Sequence, residues 1–230
     1  MKKLVVLSGA GISAESGLKT FRDMGGLWEQ YDVAEVASVE AWQKNPELVL
    51  RFYNERRKIL FSAKPNEGHW ALAKLQEYFE VIVITQNVDD LHEQAGNREV
   101  LHLHGELRKA QSTIDSTLIY TLKTPELNLG DLCEKGSQLR PYIVWFGEAV
   151  KNYSQAVALV KSADFFAVIG TSLNVYPAAG LIDHCGSNIP IFLVDPNDLP
   201  VYLQKNITFI KEPATRGVPL MAHLLMEKYL

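Results

Sequence analysis

The strongest constraint in this sequence is a set of strand-length runs that are apolar on both faces, LVVL at 4–7, VIVI at 81–84 and FFAVI at 165–169. Such a run has no side to turn toward water, so both of its faces must be covered, as in a parallel sheet flanked by helices. Residues 189–194 and 207–210 supply two further strands of the same series. The segments that follow the runs are small or polar: Ser8-Gly9-Ala10-Gly11, Thr85-Gln86-Asn87-Val88-Asp89-Asp90, Gly170-Thr171-Ser172 and Asp195-Pro196-Asn197. In an open α/β sheet, ligands bind outside the carboxyl ends of the strands. The repetition of polar strand ends predicts a nucleotide crevice better than any one loop does.

The first of these ends nearly meets the dinucleotide pattern G-x-G-x-x-G/A, with Gly9 and Gly11 in place and Ala14 at the third position. Its glycines permit tight turning and close approach of an anion to backbone N–H groups. Phe21 and Arg22 follow among turn residues and are placed to cover that anion. A glycine turn after any buried strand has the same composition, so this loop alone does not decide the matter.

Between the strands, Asn45-Pro46 and Pro65-Asn66 read as helix starts. The first helix is expected to bury Leu48, Phe52, Ile59 and Leu60, and carries the cationic run Arg56-Arg57-Lys58. The second is expected to turn His69, Trp70, Leu72, Ala73 and Leu75 inward, and the terminal helix to bury Leu220, Leu224 and Leu225. In VLHLHG, at 100–105, alternation sets His102 and His104 on one face. Residues 109–139 are the least regular portion and read as an inserted lobe. Residues 140–148 form a short extended run ending in an apolar edge at Gly147, a wall for a substrate or a peptide backbone.

The whole chain sets limits. Its 230 residues suffice for one large core with an appended lobe, and its net charge of −4 argues against general nucleic-acid binding. Two cysteines, Cys133 and Cys185, are too few for a disulfide framework. No apolar run approaches the roughly 18 residues a membrane span needs, and the first strand begins without a preceding signal segment. A cytoplasmic protein with no nucleic-acid or membrane partner is expected, of unknown oligomeric state.

Taken together, the segments GAGISAESGLKTFR (9–22), TQNVDDLHEQAG (85–96), HGE (104–106), PYIVWFGE (141–148) and GTSLNVYPAA (170–179) resemble the sirtuin family of NAD-dependent protein deacylases, over nearly the entire chain. The resemblance implies an α/β fold, a Rossmann-like parallel sheet with helices on both faces plus a smaller, mainly helical lobe formed by insertions. Residues 1–22, 62–104 and 141–230 would form the NAD-binding domain, and residues 23–61 and 105–140 the small lobe. It also assigns roles. His104, Asn87 and Asp89 are the catalytic set, with His104 as general base and Asn87 and Asp89 lining the nicotinamide pocket. Gly9, Ala10, Gly11, Ile12, Ala14, Phe21 and Arg22 form the cofactor loop, Gln86 meets the nicotinamide ribose, and Gly170, Thr171, Ser172 and Asp195 serve the phosphates and the other ribose. Val144, Phe146 and Gly147 border the acyl-lysine of a protein substrate.

The implied reaction transfers the acyl group to the ADP-ribosyl portion of NAD, and no hydride moves. Tyr53 and Arg56 match a Tyr-x-x-Arg pair that marks family members acting on succinyl- and malonyl-lysine. Three residues apart on a helix, they share a side, and a guanidinium with a phenol suits a terminal carboxylate. A solvated surface arginine is the other reading. Protein ADP-ribosyl transfer and a NAD-responsive binding module remain alternative functions. Family members generally place two Cys-x-x-Cys pairs in the small lobe, whereas the aligned positions here are Ser112, Asp115, Cys133 and Gly136. No metal is therefore expected, and the lobe must hold by apolar contacts such as Ile114, Leu118, Ile119, Leu122, Leu127 and Leu132.

Overall fold

The computed structural model describes residues 1–18, 31–198 and 206–230. In chain order, the larger sheet begins with β1 (Lys3–Ser8), followed by the short α1 (Gly11–Ala14). Among the described residues the next helices are α2 (Val33–Val36), α3 (Val39–Lys44) and the long α4 (Pro46–Ser62), then α5 (Glu67–Leu75). The chain continues through β2 (Glu80–Thr85), α6 (Leu91–Gln94), β3 (Glu99–His102), β4 (Gly105–Ser112), β5 (Ile119–Thr121) and β6 (Leu139–Ile143). It ends with α7 (Tyr153–Lys161), β7 (Phe165–Ile169), a 3-10 helix (Ala178–His184), β8 (Ile191–Val194), β9 (Ile207–Ile210) and α8 (Ala214–Tyr229).

Six strands form one parallel sheet in the order β3-β2-β1-β7-β8-β9. Alternation along β1 shows why both faces had to be apolar. Leu4 and Val6 pack with Leu72 and Leu75 of α5 and Val218 and Leu225 of α8, while Val5 and Leu7 pack with Ala156 and Val160 of α7 and Leu181 of the 3-10 helix. Order reverses between β1 and β7, and the register there aligns Ser8 with both Thr85 and Ile169. That reversal opens a crevice at the carboxyl ends. Helix starts follow the local chemistry: Asn45 caps α4 through Leu48 N, with Pro46 in the first turn, and Asn66 caps α5 in a capping box completed by His69. Among the described residues no helix is long and apolar enough to cross a membrane.

Several expectations about faces are corrected. Helix α4 buries Val49, Leu50, Phe52, Tyr53, Arg57 and Leu60, whereas Ile59 is exposed. Its buried cation Arg57 donates through Nε to Pro125 O at 2.8 Å and also bonds Asn54 Oδ1, so it ties the helix to the inserted segment. Trp70 and Leu220 are exposed as well.

The inserted segment is more ordered than its composition predicts. It carries a three-stranded antiparallel sheet, β5-β4-β6, which the smaller lobe adds to the helices α2, α3 and α4. A register shift between Gly105 and Ala110 breaks the alternation of β4 and hides it from a period-two reading. Leu50, Ala110, Leu127, Cys133 and Leu139 make its core, with Leu118 and Leu122 against them, while Ile114, Ile119 and Leu132 are exposed.

The four positions aligned with zinc-binding cysteines do not fit that metal, because a serine, an aspartate, one thiol and a glycine offer no thiolate set. They are joined by hydrogen bonds instead. Ser112 accepts from the amides of Ile114 and Asp115 and bonds the Cys133 sulfur, and Asp115 pairs with Lys135 at 2.7 Å. Thr113 Oγ1 meets Ser137 Oγ at 2.6 Å, and Cys133 N donates to Ser137 O at 2.8 Å. An exposed ion pair contributes at most about 1 kcal/mol, so the buried apolar cluster carries most of the lobe's stability. We expect elemental analysis to find no stoichiometric zinc and EDTA to leave the melting temperature unchanged; a chelator-induced fall would contradict this account of the lobe.

Candidate active site

The crevice is built by loops held against one another through backbone bonds. Gly9 N donates to Ile169 O at 2.9 Å and Gly11 N to Gly170 O at 2.8 Å, so these amides join β1 to the end of β7. The glycines are required by proximity: a Cβ on Gly9 would lie 2.6 Å from Thr171 Cβ, and one on Gly11 would lie 2.7 Å from Gly170 Cα. Gly170 itself has φ of +61°, in the left-handed region. Ala10 and Ala14 flank this contact at partly exposed positions, and the Ile12 side chain is core. Phe21 and Arg22 lie outside the described residues.

Thr171 and Ser172 follow Gly170, whose amide donates to Val194 O at 2.9 Å and so brings Asp195 to the same end of the sheet. Asp195 is buried, and its Oδ1 accepts from Asn197 N at 2.9 Å. Gln86 crosses the crevice from β2: its N donates to Ser8 O at 2.9 Å and its Nε2 to Thr171 Oγ1 at 3.2 Å.

Asn87 and Asp89 are both buried, and Ser13 gathers them. Ser13 Oγ donates to Asp89 Oδ2 at 3.0 Å and accepts from Asn87 Nδ2 at 3.2 Å. His69 Nε2 lies 3.5 Å from the same hydroxyl, and His69 Nδ1 accepts from Asn66 N at 3.3 Å, which leaves the ring proton on Nε2. Burial lowers the His69 pKa to about 4, so this ring is neutral at neutral pH. Burial also lifts the Asp89 carboxyl to about 6, against the lowering bonds from Leu91 N and Ser13. Sequence reasoning missed Ser13 and His69 as site residues. Ser13 and Asp89 are 76 positions apart, and no spacing rule pairs them.

The two histidines of VLHLHG differ in charge state. His104 Nδ1 donates to Gln86 O at 3.0 Å, since a carbonyl can only accept. Burial lowers its pKa below 6.5, and the Gln86 bond offsets only part of that. The ring is therefore neutral at neutral pH, with the Nε2 lone pair ready for a proton. His102 Nδ1 donates to Asn87 O at 3.0 Å, and its Nε2 meets Glu93 Oε1 at 2.8 Å, so both nitrogens carry protons. Burial opposes that cation, but the Glu93 hydrogen bond and charge outweigh it and hold the pKa above 6.5.

The expected substrate wall lies alongside. Val144 N donates to His104 O at 3.0 Å, and Phe146 N to Ala37 O at 3.0 Å, leaving the Phe146 side chain exposed beside Gly147, whose φ is +92°. Tyr53 is buried, with the Arg56 guanidinium 5.9 Å from its ring centroid; that cation also interacts electrostatically with Asp89. Helix α4 thus brings Tyr53 and Arg56 together, and Arg56 is part-buried rather than a solvated surface charge.

Raised in the fold, the His102 pKa makes its pair with Glu93 stabilising below pH 6.5, a contribution that fades as pH climbs through the native value. NMR titration of the imidazoles is expected to place His104 below 6.5 and His102 above it, and Glu93→Gln is expected to bring His102 below 6.5; an unshifted His102 would rule out the charge assignment.

Comparison with known proteins agrees with this geometry. The model of the Sir2 family matches residues 9–177. An NAD-dependent protein deacylase of Helicobacter pylori (strain ATCC 700392 / 26695) is 52% identical over 227 residues, covering 99% of this chain and 99% of its own. One from Bacteroides thetaiotaomicron is 49% identical over 98% of this chain and 99% of its own. A solved Sir2 homolog–NAD complex superposes with a TM-score of 0.89 at 38% identity, covering 98% of this chain and 90% of that one. A complex of Sir2 with a deacetylated p53 peptide and 3'-O-acetyl ADP ribose gives 0.78 at 30% identity, covering 99% of this chain and 93% of that one. A match of this length, on the same strand-end loops that build the crevice, shows that the chain belongs to the Sir2 family.

Proposed function

We propose that this chain is an NAD-dependent protein-lysine deacylase whose acyl range includes succinyl and malonyl as well as acetyl. The observation that carries the reading is His104: a neutral imidazole with its Nδ1 proton committed to the carbonyl of Gln86, the residue that precedes Asn87 of the Asn87–Ser13–Asp89 cluster. The NAD-dependent deacylase activity is also that of close relatives spanning the full chain.

The residues present fit NAD. Gly9, Gly11 and Gly170 bring backbone close at the crevice, Thr171 and Ser172 offer hydroxyls, and Asp195 offers a buried carboxylate for ribose hydroxyls. NAD, when bound, would supply the nicotinamide–ribose bond that breaks and the ADP-ribosyl group that takes the acyl group, so that with one water the products are nicotinamide, free lysine and O-acyl-ADP-ribose. Asn87 and Asp89 would hold the carboxamide of the cofactor, the amide as donor and the carboxylate as acceptor, with Ser13 fixing their separation. His104 takes a proton at Nε2 and keeps its Nδ1 proton on Gln86 O, so the ring does not turn as its charge changes. Val144, Phe146 and Gly147 flank the acyl-lysine, whose backbone adds as an extended strand.

The acidic range rests on Tyr53 and Arg56. A hydroxyl and a guanidinium on one face of α4 give a carboxylate charge-assisted hydrogen bonds of about 1.5–3 kcal/mol each, or roughly 10- to 100-fold in efficiency.

Incubation with NAD and a panel of acyl-lysine peptides is expected to yield nicotinamide and O-acyl-ADP-ribose by mass spectrometry, and His104→Ala to abolish both. Arg56→Ala is expected to lower kcat/KM on succinyl-lysine by roughly 10- to 100-fold and on acetyl-lysine far less. Only ADP-ribosylated protein, or no product, would refute the deacylase reading; equal losses on both peptides would remove the carboxylate role.

A further inference from the structure

We infer that Trp145 is a specificity-positioning residue, which holds the Tyr53 hydroxyl in the orientation that donates to an acidic acyl group. The inference rests on the acidic-acyl reading of Tyr53 and Arg56 and adds the residue through which that reading operates.

Trp145 is fully buried, and its indole Nε1–H donates to Tyr53 Oη at 3.0 Å across 92 positions of sequence. A phenol hydrogen lies near the ring plane and has two in-plane directions to choose between. A donor seated on one oxygen lone pair excludes the hydrogen from that side. The Tyr53 proton must therefore point the other way, where it is available to an acceptor, and the carboxylate oxygen of a succinyl or malonyl group is such an acceptor. Burial raises the Tyr53 pKa, against the lowering influence of Arg56 and Trp145, so the phenol keeps the proton it has to donate.

Trp145 is itself immobilised. Its backbone N donates to Glu148 Oε2 at 2.8 Å, and Glu148 is gripped by both terminal nitrogens of Arg140 at 2.7 and 3.0 Å. The same guanidinium donates to Ile143 O at 2.9 Å and stacks 3.5 Å from the centroid of the indole. Trp42 packs on Trp145 at a centroid distance of 5.6 Å. An indole fixed through its backbone, its face and its edge can orient a hydroxyl that has a single rotor. Phenylalanine at this position would fill similar space and have no N–H to offer.

The test compares Trp145→Phe, Tyr53→Phe and the double variant on succinyl- and acetyl-lysine peptides. We expect Trp145→Phe to lower the succinyl-to-acetyl ratio of kcat/KM about tenfold, through a raised KM for the succinyl peptide. In the Tyr53→Phe background, where no hydroxyl remains to orient, the same substitution should change that ratio less than twofold. Replacing Trp145 with benzothienyl-alanine, which keeps the ring shape and removes only the N–H, should reproduce the single-variant result if Trp145→Phe folds poorly. An unchanged ratio in both single replacements, or an equal fall with and without the Tyr53 hydroxyl, would overturn the inference. Arg56→Ala assayed alongside separates the two claims: a selective loss there with an unchanged Trp145 ratio removes only the positioning role, and equal losses at Arg56 remove the reading beneath it.

Discussion

Everything at the carboxyl end of the sheet depends on two loops touching backbone to backbone. Gly9 and Gly11 give their amides to Ile169 and Gly170, and a side chain at any of Gly9, Gly11 or Gly170 would enter the opposing loop. The contact lies where the strand order reverses, between β1 and β7, and it fixes the separation of the two halves of the crevice. Gln86, Thr171 and Asp195 are displayed around a junction that has no slack. Its rigidity comes from missing side chains, and it makes the polar strand ends a single site.

Behind that junction sits a buried polar layer that the apolar strands enclose. Ser8, Thr85 and His92 are linked, with Ser8 Oγ 2.9 Å from both Thr85 Oγ1 and His92 Nε2. His69 and His92 pack edge to face at 4.9 Å between centroids, and burial keeps both neutral at neutral pH. Two uncharged rings can support Ser13, Asn87 and Asp89 from below without adding a cation next to the carboxylate. Charge is carried instead at its rim, by the His102–Glu93 pair and by Arg56. The Glu93 carboxylate thus sets the cationic His102 apart from the neutral imidazole of His104 two positions away.

How much of this was legible follows from the range of each interaction. Runs such as VIVI and FFAVI announce a sheet covered on both faces, and Asn45-Pro46 and Asn66 announce helix starts, because those signals are local. The strand-end residues could be named for the same reason. Ser13 reads as an ordinary helix-start residue until Asp89 is folded against it. Arg57 sits in a run of cations that composition assigns to solvent, yet Asn54 and Pro125 O take it inward. In the lobe, the shifted register of β4 erases the alternation that would have marked a strand. Burying Val49 and Tyr53 rather than Ile59 is decided by what α4 packs against, which a single helix pattern does not contain.

The bond from Val144 N to His104 O has a consequence for how such a protein can diversify. The segment proposed to border the acyl chain is stitched to the backbone of His104, the proposed base, and through Trp145 the same segment is stitched to Tyr53. A substitution that reshapes the wall to admit a different acyl group therefore also tugs on the imidazole. Under the proposed roles, selectivity and turnover share one stretch of backbone, so a change made to the wall for a new acyl group is felt at the proton acceptor as well.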